Sequence, residues 1–141
     1  MNDYFNSIKV DSSAIGNHEF DFGPDFLFPY WENRRDGSWN LAANVKSESG
    51  KEEFLPKQKN TELYTLESGI KIGVIGLSTV ETLTTTGAFN DGLFPRYKFN
   101  EYSDIVIEQS KKLREQGANA VLILSHVGND CDSGNEYGLW F

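Results

Sequence analysis

Two apolar runs, residues 70–77 and 120–124, hold this chain to a layered architecture, because each has the length and character of a strand buried in a sheet. Between them, residues 102–116 carry Tyr102, Ile105, Val106 and Leu113 on one side and charges on the other. That is the 3.6-residue pattern of an amphipathic helix, and Gly117 follows as its stop. Residues 61–66 precede the first run across Glu67, Ser68 and Gly69, which predicts a hairpin whose second arm, 70–77, is a central strand. Shorter strands are expected at 10–15 and 41–45. Strands alternating with helices, without internal repeats, place the chain in the α/β class.

The remaining segments are read from their punctuation. Pro24 can open a helical turn, but Pro29 sits badly inside one, so 24–34 is expected as a broken or restarted helix burying Leu27, Tyr30 and Trp31. Residues 46–60, polar and rich in Lys and Glu, predict a surface loop, and 82–98, with three successive Thr and Gly87, Gly92 and Pro95, an irregular connection. Gly73 and Gly76 fall within a strand, where they permit close packing rather than cradle a phosphate.

Composition narrows the function. The 141 residues amount to one domain, and 38% apolar content suffices for a core. With 13 Lys and Arg against 21 Asp and Glu, the net charge of -8 leaves no basic stripe, which argues against a nucleic-acid partner. No apolar run is long enough to span a bilayer, and residues 1–9 lack the pattern of a targeting segment. The lone Cys131 has no second Cys for an internal disulfide and no adjacent His or Lys in sequence to activate it. Residues 130–141 begin like a calcium loop, but Asn135 stands where the turn Gly belongs and Phe141 where the bidentate Glu should be. Oligomeric state and compartment are left open by these observations.

Chemistry concentrates at Gly16-Asn17-His18-Glu19-Phe20-Asp21, where a strand runs into a tight turn. Asn17 offers a neutral carbonyl oxygen suited to a divalent cation. His18 can ligate or carry a proton, and Asp21, three residues on, can reach back to orient it. The other His of the chain, His126, also stands where an apolar strand ends, followed by Val127 and Gly128. A strand exit is where an α/β sheet presents ligands, although a solvated turn and a structural His are the plainer readings of each segment alone.

The stretch from Gly16 to Asp21 resembles the signature of the calcineurin-like metallophosphoesterase superfamily, in the branch that holds the 5'-nucleotidases. Further matches follow in order: Leu41-Ala42-Ala43-Asn44-Val45; Lys71-Ile72-Gly73-Val74-Ile75-Gly76-Leu77-Ser78-Thr79 with Glu81-Thr82; and residues 121–125 with His126-Val127-Gly128. The resemblance implies a β-sandwich flanked by helices in α-β-β-α layers, incomplete in this chain, with residues 1–141 forming the central part of a catalytic domain. It implies hydrolysis of a phosphate ester, a nucleotide first of all, with a 2',3'-cyclic nucleotide or a UDP-sugar as alternatives within the branch. Two divalent ions of unassigned identity would be the cofactors. Asn17 and His126 would be metal ligands, and His18 with Asp21 the catalytic dyad facing the phosphate. Family members often work outside the cytoplasm or at the cell surface.

The departures are equally concrete. The family's Asp-x-His and Gly-Asp on preceding strands, and its closing Gly-His-x-His, do not occur in these residues, whose only two His are His18 and His126. About half a metal shell is present, so the chain is expected to be a fragment that exposes strand edges and, alone, binds ions and catalyses poorly. The substrate-choosing C-terminal domain is expected to be absent as well. An inactive remnant serving as a binding module is the competing expectation from another class.

Overall fold

A computed structural model of the chain describes residues 2–50, 55–86 and 97–128. In chain order the elements are α1 (Asn2–Ser7), β1 (Ser12–Ala14), a 3-10 turn (His18–Phe20), α2 (Pro24–Glu32), β2 (Trp39–Leu41), β3 (Val45–Ser47), β4 (Gln58–Lys59), β5 (Thr61–Thr65), β6 (Lys71–Ser78), α3 (Thr82–Thr85), β7 (Tyr97–Phe99), α4 (Ser103–Glu115) and β8 (Ala120–His126). The expected α/β class holds. One sheet has the order β1-β2-β4, all parallel, and a second the order β5-β6-β8. A third, two-stranded sheet pairs β3 with β7 antiparallel.

The hairpin forms as its spacing requires. β5 and β6 pair antiparallel from Thr61 opposite Ile75 to Thr65 opposite Lys71, and Gly69 closes the turn with φ of 82°, which glycine adopts without strain. β6 is then the central strand, buried from Gly73 to Ser78. β8 joins its other side in parallel, and a parallel neighbour needs a crossover, here α4. The helix lies close because Gly73 has no side chain: a Cβ there would stand 2.8 Å from Leu113 Cδ1. Gly76 works the same way on the other sheet, where an added Cβ would collide with the Leu41 side chain and backbone carbonyl.

Two apolar clusters result. Ile15, Phe20, Leu27, Trp31, Ala42, Val45 and Leu55 join α2 to the first sheet, while Ala43, Ile75, Leu77, Tyr102, Leu113 and Ala118 join α4 to the second. At the end of α2, buried Arg34 donates from Nη1 to Ser13 Oγ at 2.7 Å and to Asn40 Oδ1, tying that region to β1 and β2. Burial holds its guanidinium below the usual arginine range.

Four expectations are corrected. α2 runs through Pro29 without a break, because Pro29 faces water while Leu27 and Trp31 on the opposite side are buried, and Asn33 Nδ2 caps the Pro29 carbonyl at 2.8 Å. Residues 41–45 are two strand ends, not one strand. There the chain passes between sheets, with Ala42 N–H donating to Lys59 O at 3.0 Å and Ala43 N–H to Gly76 O at 2.8 Å. Residues 46–60 are not wholly loop, since most of β3, paired with β7, and all of β4, paired with β2, fall within them, and Leu55, Gln58 and Asn60 are buried. β8 is half covered rather than buried: Val121 and Ile123 pack into the core, Leu122 is 51% exposed, and the outer edge has no partner strand among the described residues.

Within 82–98, α3 and β7 are regular, and residues 87–96 lie outside the described residues. So do the calcium-loop stretch and Cys131. Among the described residues, no helix is long and apolar enough to cross a membrane.

Candidate functional site

Three strand exits meet at one end of the molecule. β1 hands the chain to Ile15, Gly16 and Asn17; β6 ends at Ser78, four residues before α3; and β8 ends at His126, directly opposite Ser78 in the register. After β1 the backbone tightens into the 3-10 turn, with Phe20 N–H bonded to Asn17 O and Asp21 N–H to His18 O. Phe20 anchors this turn at 1% exposure, edge-on to Trp31 and Phe99. Its polar neighbours are thereby left at the surface.

The i,i+3 spacing places His18 and Asp21 side by side, with Nδ1 2.7 Å from Asp21 Oδ2. With Nδ1 occupied by the carboxylate, Nε2 is the ring nitrogen left for another partner, and the His18 side chain is 72% exposed. Beside this pair, Asn17 Oδ1 lies 3.0 Å from His126 Nε2. All four residues singled out in the sequence thus fall into two contacting pairs, which start from the consecutive residues Asn17 and His18. Gly16 makes room for the second pair, since a Cβ there would stand 2.8 Å from His126 Nδ1 and Cε1. Glu19, in the same turn, accepts the Gly16 N–H at 2.7 Å.

The donor set fits part of a divalent-cation site. An amide oxygen and an imidazole nitrogen are both acceptable ligands, and their 3.0 Å separation is about that of two adjacent ligands each roughly 2.1 Å from one ion. No cluster of three or more His, Cys, Asp or Glu joins them among the described residues. Among the described residues, Asn17 Oδ1 and His126 Nε2 are thus the two donors brought to this point.

Two contributors escaped the sequence reading. Thr85 Oγ1 accepts from Asn17 Nδ2 at 3.1 Å. Asn44, fully buried, uses its side chain to satisfy the end of β6, accepting Ser78 N–H at 2.9 Å and donating to Ser78 O at 2.7 Å. Asn44 was visible only as part of a matching motif, and Thr85 only as one of three successive threonines.

No protein-family model matches the sequence, but individual known proteins do. The trifunctional nucleotide phosphoesterase protein YfkN of Bacillus subtilis is 29% identical over 133 residues, covering 87% of this chain and 8% of its own length. The NAD 5'-nucleotidase of Haemophilus influenzae is 32% identical over 120 residues, covering 83% of this chain and 18% of its own. A snake venom 5'-nucleotidase of Naja atra is 31% identical over 137 residues, covering 91% and 23%.

The solved calcineurin-like phosphoesterase YfkN superposes with a TM-score of 0.75 at 23% identity, over 95% of this chain and 40% of that one. The Haemophilus influenzae NAD nucleotidase gives 0.72 at 28%, over 91% and 24%. The chain thus spans less than a quarter of the length of these curated relatives. By sequence and by fold, its relatives are the 5'-nucleotidases and calcineurin-like phosphoesterases, a group of phosphate-ester hydrolases.

Proposed function

We propose that the chain is the central part of the catalytic domain of a metal-dependent phosphoesterase that hydrolyses a nucleotide, in the manner of a 5'-nucleotidase. The observation that carries this reading is the adjacency of the two pairs, Asn17 with His126 and His18 with Asp21. A pair of divalent ions, when bound, would supply Lewis-acid charge to the phosphoryl oxygens. Asn17 Oδ1 and His126 Nε2 would hold one of them. His18, exposed and with Nε2 turned away from Asp21, would meet charge developing on the phosphoryl group or give a proton to the departing oxygen, a contribution of about 10² to 10⁴ in rate. Asp21 would keep that ring oriented. A nucleotide is favoured because the relatives are nucleotidases, and the venom enzyme among them supports a site of action outside the cytoplasm.

The test uses Mn²⁺ and AMP. Mn²⁺ should broaden the His126 ring protons in the NMR spectrum, and Asp21→Ala should leave that titration within about twofold, because Asp21 faces His18 rather than the ion. Broadening lost in Asp21→Ala makes Asp21 a ligand, and wild-type His126 signals that stay sharp even in the large excess of Mn²⁺ that a weak site requires overturn the reading. The chain alone should release no phosphate from AMP. A longer chain that also carries Asp-x-His, Gly-Asp and Gly-His-x-His should do so, and should lose the activity in His18→Ala. Robust turnover by the 141 residues, abolished by His18→Ala, would show that half a shell is the wrong count.

A further inference from the structure

The hydrogen bonds that converge on Asn17 have a direction. Thr85 Oγ1 carries one proton, and it goes to the carbonyl of Glu81, 3.0 Å away and one helical turn back. The same oxygen must therefore meet Asn17 Nδ2, 3.1 Å away, as an acceptor. A carboxamide whose NH₂ is engaged on Thr85 has its carbonyl on the other side, and Oδ1 is the atom 3.0 Å from His126 Nε2. Reversed, the amide would present N–H groups, which have no lone pair for a cation.

We propose that Thr85 is a positioning residue: its hydroxyl sets the rotation of the Asn17 amide so that the oxygen faces the space shared with His126. The inference about ion binding rests on reading that space as a cation site; the inference about orientation does not. Three elements cooperate, since Asn17 follows β1, Thr85 ends α3 and His126 ends β8. α3 would then serve as the prop of a ligand that belongs to a different strand.

The experiment compares Thr85→Val, which keeps the shape and removes the acceptor, with Thr85→Ser, which keeps the hydroxyl. In the full chain, nuclear Overhauser contacts between the Asn17 side-chain NH₂ and His126 Hε1 should be weak in wild type and Thr85→Ser and several-fold stronger in Thr85→Val. With Mn²⁺ alone as probe, the midpoint for broadening His126 Hε1 should rise about tenfold in Thr85→Val and stay within about twofold in Thr85→Ser.

An amide that keeps its orientation in a folded Thr85→Val protein overturns the proposal. If the valine variant does not fold, the serine variant decides, because an amide that turns over there overturns the proposal equally. An amide that reverses in Thr85→Val without moving the Mn²⁺ midpoint upholds the positioning role and counts against the cation reading.

Discussion

Asn17 and His126, 109 positions apart, touch through Oδ1 and Nε2 at 3.0 Å, and the contact exists because nothing projects from Gly16 beneath the imidazole. The pairing is therefore as much a property of the small residue as of the two polar ones. Strand ends alone would bring the groups near each other without letting them meet.

Gly16→Ala should separate fold from site. The new methyl would press on His126 Nδ1 and Cε1 at 2.8 Å and Glu19 Oε2 at 2.6 Å, all of them ends of exposed side chains that can swing aside. Urea denaturation should show a loss of under about 1 kcal/mol. The Mn²⁺ concentration that broadens the His126 ring protons should meanwhile rise about tenfold or more. An unchanged titration would show that the ring does not need its seat.

Gly76→Ala should do the reverse and attack the fold. There the obstruction is the Leu41 side chain and backbone carbonyl, deep between the two sheets, where neither can move away. A stability loss of about 3 kcal/mol is expected, read as a lower urea midpoint with an unchanged slope. A variant as stable as wild type would mean the sheets can part without cost.

Asn44→Ala should be nearly as damaging for a different reason. It strands the Ser78 N–H and C=O, which are buried, and removes a donor to the half-buried Asn100 carbonyl at 3.1 Å. Leaving such groups unpaired costs about 1 to 3 kcal/mol in all. Because Ser78 lies opposite His126 in the register, the His126 ring signals should shift as well. A stable variant with unmoved ring signals would contradict this.

Tyr64→Phe addresses pH. Burial raises the Tyr64 hydroxyl above its ordinary value of 10.0, and its Oη shares a hydrogen bond with Ser12 Oγ. At pH 7 the variant should be about 1 kcal/mol less stable through the lost bond. Folded wild type holds this proton more tightly than the unfolded chain, so the tyrosine's contribution is intact below pH 10 and declines as pH climbs through the raised value. Melting temperatures of the two proteins should therefore converge above pH 10. A constant gap would show that the hydroxyl does not titrate with folding.

Long periodic segments were readable without coordinates. The hairpin over 61–77 and the helix over 102–116 announce themselves because many residues repeat one pattern, and the His18–Asp21 pair because a turn brings i and i+3 together. The Asn17–His126 contact was not derivable from pattern; position at strand ends hinted at it, and resemblance to a family supplied the pairing. The passage through Ala42 and Ala43 was hidden, since each N–H takes its partner from a different sheet. Thr85 was hidden for the same reason: its value lies in an oxygen that meets Asn17 across 68 positions. The half-covered β8 shows the opposite limit, where an apolar composition promised more cover than the described residues provide.

Phe20 is the buried member of the 3-10 turn, packed among Trp31, Tyr97 and Phe99 while His18 on the same turn looks outward. A lesion at Phe20 would therefore masquerade as broken chemistry. A screen that scored turnover alone would rank it beside His18, and only a measurement of unfolding would distinguish the mount from the tool it carries.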